Sequence, residues 1–163
     1  MTYDSANGRA EGFPAPRIGV PAALNPGRRR NMQANRRRDT GPEKAIRSAI
    51  HALGYRFRVD FPVELGAVRV RPDIVFPRKK IAIFVDGCFW HGCPEHGRSP
   101  SINREYWTPK LRRNIERDLE NTAALASSGW TVIRIWEHER TEDAVSRIVS
   151  AVQIVAERLA AMP

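Results

Sequence analysis

Between residues 40 and 160 the apolar positions of this chain switch between a helical period and a strand period. Ile46, Ala49, Ile50 and Leu53 recur at helical spacing behind Thr40-Gly41-Pro42-Glu43, which reads as a capping box, and Gly54 marks the stop. Tyr55 to Phe61 alternates strictly and predicts a half-buried strand. Val68 to Phe76 predicts a second strand and the wholly apolar Ile81 to Val85 a third. The short link Pro77-Arg78-Lys79-Lys80 makes these two a hairpin. Leu111, Ile115, Leu119, Thr122 and Ala126 mark a longer helix, with Thr108-Pro109 as its expected N-cap and first position and Gly129 as its end. Trp130 to Trp136 predicts a fourth strand. Ala144, Ile148, Val152, Val155 and Leu159 form the stripe of a last helix. The order α-β-β-β-α-β-α implies a single α/β domain, a mixed β-sheet flanked by helices.

The first 38 residues break this pattern. They hold eight Arg, no Lys and only two acids, with Pro14, Pro16, Pro21 and Pro26 interrupting any period. The expected organisation is a flexible basic N-terminal arm over 1–38 and a folded domain over 39–163. A net charge of +9 and a pI near 10.5 make a polyanion the favoured partner. The triplets Arg28-Arg29-Arg30 and Arg36-Arg37-Arg38 suit phosphate contact, and Met32 between them could act as an apolar wedge. No stretch approaches the roughly 20 apolar residues of a membrane span, and the N-terminus lacks the apolar core of a secretory signal. Two cysteines five positions apart in such a chain predict a reducing compartment, the cytoplasm.

Candidate chemistry concentrates in Val85-Asp86-Gly87-Cys88-Phe89-Trp90-His91-Gly92-Cys93-Pro94-Glu95-His96. Centring the hairpin turn on Arg78 and Lys79 sets Asp73 opposite Phe84, so Asp73 and Asp86 fall on one face as diagonal neighbours roughly 7–8 Å apart. Carboxylates at that range can share a divalent cation, and oxygen ligands suit Mg²⁺. Such an ion polarises a phosphoryl oxygen and activates water, and His91, just past the strand end, suits a general base or a leaving-group acid. Two strand-end aspartates serve equally well as solvated turn caps. Glu43, at the edge of the first helix's buried stripe, either caps or looks into a site. Cys88, Cys93 and His96 supply three soft ligands, and His138, after the fourth strand, is the remaining histidine that a sheet edge can bring close. Together they predict a structural zinc site. His51 lies off its helix's apolar stripe and reads as a surface residue. Phe89 and Trp90 cannot easily both point inward from a tight metal loop, and an exposed wedge on a basic protein can enter a base stack. Asn103, Tyr106, Trp107, Lys110 and Asn114, approaching or starting the long helix, suit phosphate contacts or a plain polar helix face.

Asn31-Met32, Asp39-Thr40-x2-Glu43, Arg71-Pro72-Asp73, Val85 to Pro94, Asn114-x2-Arg117-Asp118, Gly129-Trp130-x-Val132 and Trp136-Glu137 together resemble the very-short-patch-repair DNA mismatch endonucleases. The likeness spans about residues 28 to 140. It implies a PD-(D/E)XK-like, restriction-endonuclease-type fold with a structural zinc. It also implies an enzyme that nicks double-stranded DNA beside the thymine of a T:G mismatch, the product of 5-methylcytosine deamination. By the same likeness Asp73 is the central Mg²⁺ ligand and the Val85 carbonyl another, His91 is the general acid/base, and Glu43 orients the attacking water. By that likeness Phe89 and Trp90 intercalate beside the mismatch while Met32 inserts from the other groove. Apart from the likeness, charge and position make Arg36, Arg37, Lys110 and Asn114 the expected duplex contacts. The zinc ligands map to Cys88, Cys93, His96 and His138. A monomer in the bacterial nucleoid is implied, with a functional link to a DNA cytosine methyltransferase and mismatch-repair proteins. Three departures stand out. His138 takes a position that is often Cys, Val85-Asp86 stands where some members carry Thr-His, and the nuclease-motif Lys after Asp86 is absent. Asp86 is therefore either a metal ligand or a substitute for a phosphate-contacting His. Two other readings stay open: a zinc-stabilised DNA-binding protein without catalysis, and a nuclease of the same fold with another DNA target.

Overall fold

The computed structural model describes residues 38–97 and 100–161. Its elements are α1 (Gly41–Ala52), β1 (Arg58–Val59), β2 (Val63–Leu65), β3 (Val68–Val70), β4 (Ile74–Phe76), a 3₁₀ turn (Pro77–Lys79), β5 (Ile81–Asp86), α2 (Arg104–Ser127), β6 (Thr131–Trp136) and α3 (Thr141–Ala160). A four-stranded sheet runs in the order β1-β4-β5-β6, and β2-β3 forms a separate small hairpin. β4 runs antiparallel to both its neighbours, β1 and β5, and β6 joins β5 in parallel through the crossover helix α2, so the sheet is mixed.

Helices cover both faces. On one, α1 and α3 bury Ile46, Ile50, Ala144, Ile148 and Val152 against Ile74, Phe76, Ile81, Ile83, Ile133 and Ile135. On the other, α2 through Leu125 and the β2-β3 hairpin through Val63 and Val70 cover Val75 and Ala82. The central strands β4 and β5 are therefore buried on both faces, which is why Ile74-Val75-Phe76 and Ile81-Ala82-Ile83 are unbroken apolar runs rather than alternating ones. Among the described residues no helix is long and apolar enough to cross a membrane.

The β4-β5 register is Ile74↔Ile83, Val75↔Ala82, Phe76↔Ile81, which is the register the turn position predicts. The capping box of α1 also forms. Thr40 is the N-cap, its hydroxyl donates to Glu43 Oε1 at 2.9 Å, and Asp39 N donates to Glu43 Oε2 at 2.8 Å.

Four expectations change. The strand expected over Tyr55 to Phe61 shrinks to two residues, because Tyr55 and Phe57 turn their rings edge-on to Phe76 and Asp60 takes a positive φ of 47°. The strand expected over Val68 to Phe76 splits at Arg71-Pro72-Asp73, since Pro72 has no N–H for a ladder, and its first part pairs with the unforeseen β2. The long helix starts at Arg104 behind Asn103, not at Thr108-Pro109, so Pro109 lies inside it. Its apolar residues Ile115 and Leu119 are exposed, and the side facing the domain carries Asn114, Asp118 and Thr122. Leu53 (59% exposed) and Leu159 likewise drop out of the expected core stripes.

Candidate active site

Asp73 sits one residue before β4 and Asp86 closes β5, so the hairpin delivers both to one end of the sheet. Asp73 Oδ2 accepts a hydrogen bond from Val85 N at 2.8 Å. Burial pushes its carboxyl from the ordinary 3.8 up to about 6 against that hydrogen bond, and the charges of Glu43 and Asp86 push the same way. Glu43, 4% exposed, reaches this end from the first turn of α1, where its own carboxylate also holds the helix cap. A buried carboxylate crowded by further negative charge gains from a nearby cation, and its oxygen donors suit a hard divalent ion.

Asp86 is only 3% exposed, and Arg134 on β6 holds it in a fork, Nε to Oδ2 at 2.6 Å and Nη2 to Oδ1 at 2.7 Å. His91 Nδ1 lies 2.5 Å from Asp118 Oδ2 on α2 and 3.6 Å from Asp86 Oδ1. Burial alone would raise Asp118, but the His91 hydrogen bond and charge, with Arg134 and Arg117, outweigh it and hold the carboxyl below its ordinary range. Burial likewise opposes the Arg134 charge, and its hydrogen bonds and charge contacts with Asp86 and Asp118 more than offset this and raise it. Sequence reasoning assigns no role to Asp118 or Arg134. The signal for Arg134 is a lone cation inside the apolar strand Val132-Ile133-Arg134-Ile135, and for Asp118 an acid one helical turn beyond Asn114.

The loop after β5 gathers the soft ligands. Cys88 Sγ is 3.0 Å from His138 Nδ1, Cys93 Sγ is 3.6 Å from the same nitrogen, and Cys93 Sγ is 3.9 Å from His96 Nδ1. All four ligand atoms lie within 4.8 Å of one another. Tetrahedral zinc with ordinary bond lengths puts S and N ligand atoms about 3.5 Å apart, so the donor set fits that ion. Without a cation, burial and then the Cys93 sulfur push the Cys88 thiol up to about 11, which a thiolate-binding metal would reverse. Glu137 Oε1 accepts from Cys88 N at 2.7 Å, and Glu95 lies 3.5 Å from His138 Nε2, where a carboxylate favours the ring orientation with Nδ1 turned to the two sulfurs.

Phe89 and Trp90 project from this loop, Phe89 being 36% exposed. Their rings meet edge-on at 5.1 Å, and Trp107 from α2 packs on both, at 6.0 Å from Phe89 and 5.7 Å from Trp90. Lys110 Nζ lies 5.6 Å from the Trp90 ring centre and 5.3 Å from that of Trp107. Asn114 donates to the Trp90 carbonyl at 3.3 Å, so it braces the loop in addition to any duplex contact. The early start of α2 has its reason here, because Tyr106 and Trp107 belong to this aromatic cluster. Met32, Arg36 and Arg37 lie outside the described residues.

One sheet end thus joins buried acids, a histidine-carboxylate dyad, a soft-ligand cluster and an aromatic surface, and the sequence as a whole is similar to one class of endonuclease. The family model described as DNA mismatch endonuclease Vsr matches residues 24–96. The chain is 59% identical over 130 residues to the type II nicking enzyme V.NaeI of Lentzea aerocolonigenes, a match covering 79% of this chain and 78% of that protein. It is 45% identical over 122 residues to the type II nicking enzyme V.XorIIP of Xanthomonas oryzae, 73% and 86% of the two chains. It is 35% identical over 114 residues to the DNA mismatch endonuclease Vsr of Escherichia coli, 68% and 69% of the two chains. The chain belongs to the Vsr family of endonucleases.

Proposed function

We propose that the protein is a Mg²⁺-dependent DNA endonuclease of the PD-(D/E)XK type that nicks one strand beside the thymine of a T:G mismatch. The observation that carries the reading is the convergence at one sheet end of Asp73, raised to about 6, with Glu43 and the His91–Asp118 pair. Asp73 and the Val85 carbonyl would hold Mg²⁺. When bound, that ion supplies positive charge for the phosphoryl oxygens and makes water easier to deprotonate. His91, its Nδ1 fixed by Asp118, has Nε2 left to move a proton at the reacting oxygen. Glu43, held by the α1 cap, orients the attacking water. Phe89, Trp90 and Trp107 present a ring surface for a weakly stacked, mispaired step, with Lys110 and the basic arm (Arg36 and Arg37, with Met32 as wedge) on the backbone. Cys88, Cys93, His96 and His138 would hold zinc and keep the loop carrying His91 rigid.

One observation favours a second reading. The relative at 59% identity is named a type II nicking enzyme with no mention of a mismatch, so the same chemistry on another DNA target is the alternative. The test is a nicking assay with Mg²⁺ on end-labelled duplexes carrying T:G or C:G at one position, with Asp73→Ala as control. Cutting beside the T of T:G alone, lost in the variant, supports the mismatch reading. Equal cutting of both duplexes overturns the mismatch reading and keeps the nuclease. Tight binding with no cutting across several flanking sequences overturns both.

A further inference from the structure

Asp86, His91 and Asp118 bring ligand atoms within 4.8 Å of one another, an arrangement that by itself looks like a second cation site. A cation is already there, and it is a side chain. Arg134 faces Phe84 in the parallel β5-β6 ladder, so it lies on the same sheet face as Asp86, one diagonal step away. Its guanidinium takes both oxygens of Asp86, at 2.6 and 2.7 Å. Its Nη2 then reaches Asp118 Oδ2 at 3.3 Å, the same oxygen that meets His91 Nδ1. Its Nη1 reaches the Asp118 carbonyl and the Thr122 hydroxyl, each at 3.3 Å. The Phe84 ring lies under the guanidinium carbon at 5.0 Å. A planar fork with five N–H donors suits this task, and an ammonium does not.

We infer that Arg134 is the positioning residue of the His91–Asp118 dyad, and that by saturating Asp86 it takes that carboxylate out of the metal's ligand set. Asp86 is a nearly inaccessible acceptor with both oxygens in a bidentate pair, and a metal would have to displace a guanidinium to reach it. Asp86 thus anchors Arg134 rather than binding the cation or a phosphate. Arg134 in turn holds Asp118 so that one imidazole nitrogen is fixed. The chain's own departure, Asp after Val85, is answered by an arginine two strand positions earlier on the neighbouring strand.

The ligand-set half of this inference rests on the proposed metal at Asp73, and the dyad half does not. Two measurements on the full chain decide them. The first is Mn²⁺ binding followed by electron paramagnetic resonance. Asp73→Asn weakens it by about tenfold or more, while Asp86→Asn changes it by less than about threefold. Equal losses in the two variants overturn the ligand-set half. No binding by the unsubstituted protein fails the metal reading itself and leaves the dyad half to be judged alone. The second is the proton signal of His91 Nδ1 in protein with ¹⁵N-labelled histidine, expected to be strongly deshielded by the Asp118 contact and assigned by its loss in His91→Gln. Its absence from the unsubstituted protein overturns the dyad half. Arg134→Gln and Arg134→Lys both lose it. The double variant Asp86→Asn/Arg134→Gln removes the buried pair together. It recovers melting temperature relative to Arg134→Gln but not the proton signal, and its nicking kcat stays low with KM nearly unchanged. A double variant in which signal and kcat return would show Arg134 to be only a counter-ion for Asp86, and would overturn the positioning role.

Discussion

At the scale of single residues, Asp73 sets a pH dependence with a definite sign. Its carboxyl is raised from 3.8 to about 6, so the folded chain binds that proton more tightly than the unfolded chain does. The stability this contributes is complete below about pH 4 and is lost as pH rises to about 6, up to about 3 kcal/mol in all. Asp73→Asn is expected to abolish that slope in denaturant titrations run across this window. A divalent cation favours the ionised carboxylate, so Mg²⁺ should raise the melting temperature more at about pH 7.5 than at about pH 5. Equal increments at the two pH values would remove Asp73 from the metal's ligands. For His91, replacement by Ala is expected to lower kcat by about 10²–10⁴-fold with little change in DNA affinity. Single-turnover nicking and binding titrations on the same preparation separate the two effects.

The elements that matter most at the next scale are the loop after β5 and the start of α2, which depend on each other. Gly92 has φ +68°, and a Cβ there would come within 2.7 Å of Ile115 Cδ1 on α2. Gly92→Ala is expected to cost about 1–2 kcal/mol from backbone strain alone, plus the clash. Gly92→Ala/Ile115→Ala should recover only the clash, as read by chemical denaturation. The first turn of α2 contributes Trp107 to the ring cluster with Phe89 and Trp90. Trp107→Ala should therefore weaken binding of mispaired DNA by about 10-fold or more while leaving binding of fully paired DNA within about threefold, measured by fluorescence anisotropy. Equal losses on both duplexes would make Trp107 a packing residue only.

For the whole molecule, the proposed zinc joins the loop after β5 to the end of β6 through Cys88, Cys93, His96 and His138. Those two segments flank the parallel pair that carries Asp86 and Arg134. Chelation of zinc should lower the melting temperature and disorder the loop, whereas removal of Mg²⁺ should stop cutting and leave the near-ultraviolet circular dichroism of the tryptophans unchanged. An unchanged melting curve after verified zinc removal would refute a structural zinc. The net charge of +9 predicts a non-specific duplex affinity that falls steeply with salt, measurable by binding titrations at several salt concentrations.

Local sequence determined what local physics governs. The α1 cap follows from Thr40 and Glu43 three residues apart, the β4-β5 register from a turn centred on Arg78 and Lys79, and the shared edge for Asp73 and Asp86 from strand parity. The grouping of Cys88, Cys93, His96 and His138 was legible because thiols and imidazoles are rare enough that their number nearly exhausts the choices. Contacts between elements decided the rest. The polar inner face of α2 defeats apolar periodicity, because Asp118 and Thr122 there meet an arginine from β6 rather than a hydrophobic core. Pro109 signals a helix start, yet tertiary packing of Tyr106 and Trp107 extends the helix before it. Asp86 seen alone is a carboxylate free to bind metal. Only the parallel pairing of β5 with β6, set by a crossover of more than forty residues from Gly87 to Trp130, brings Arg134 to it and changes what that carboxylate can do.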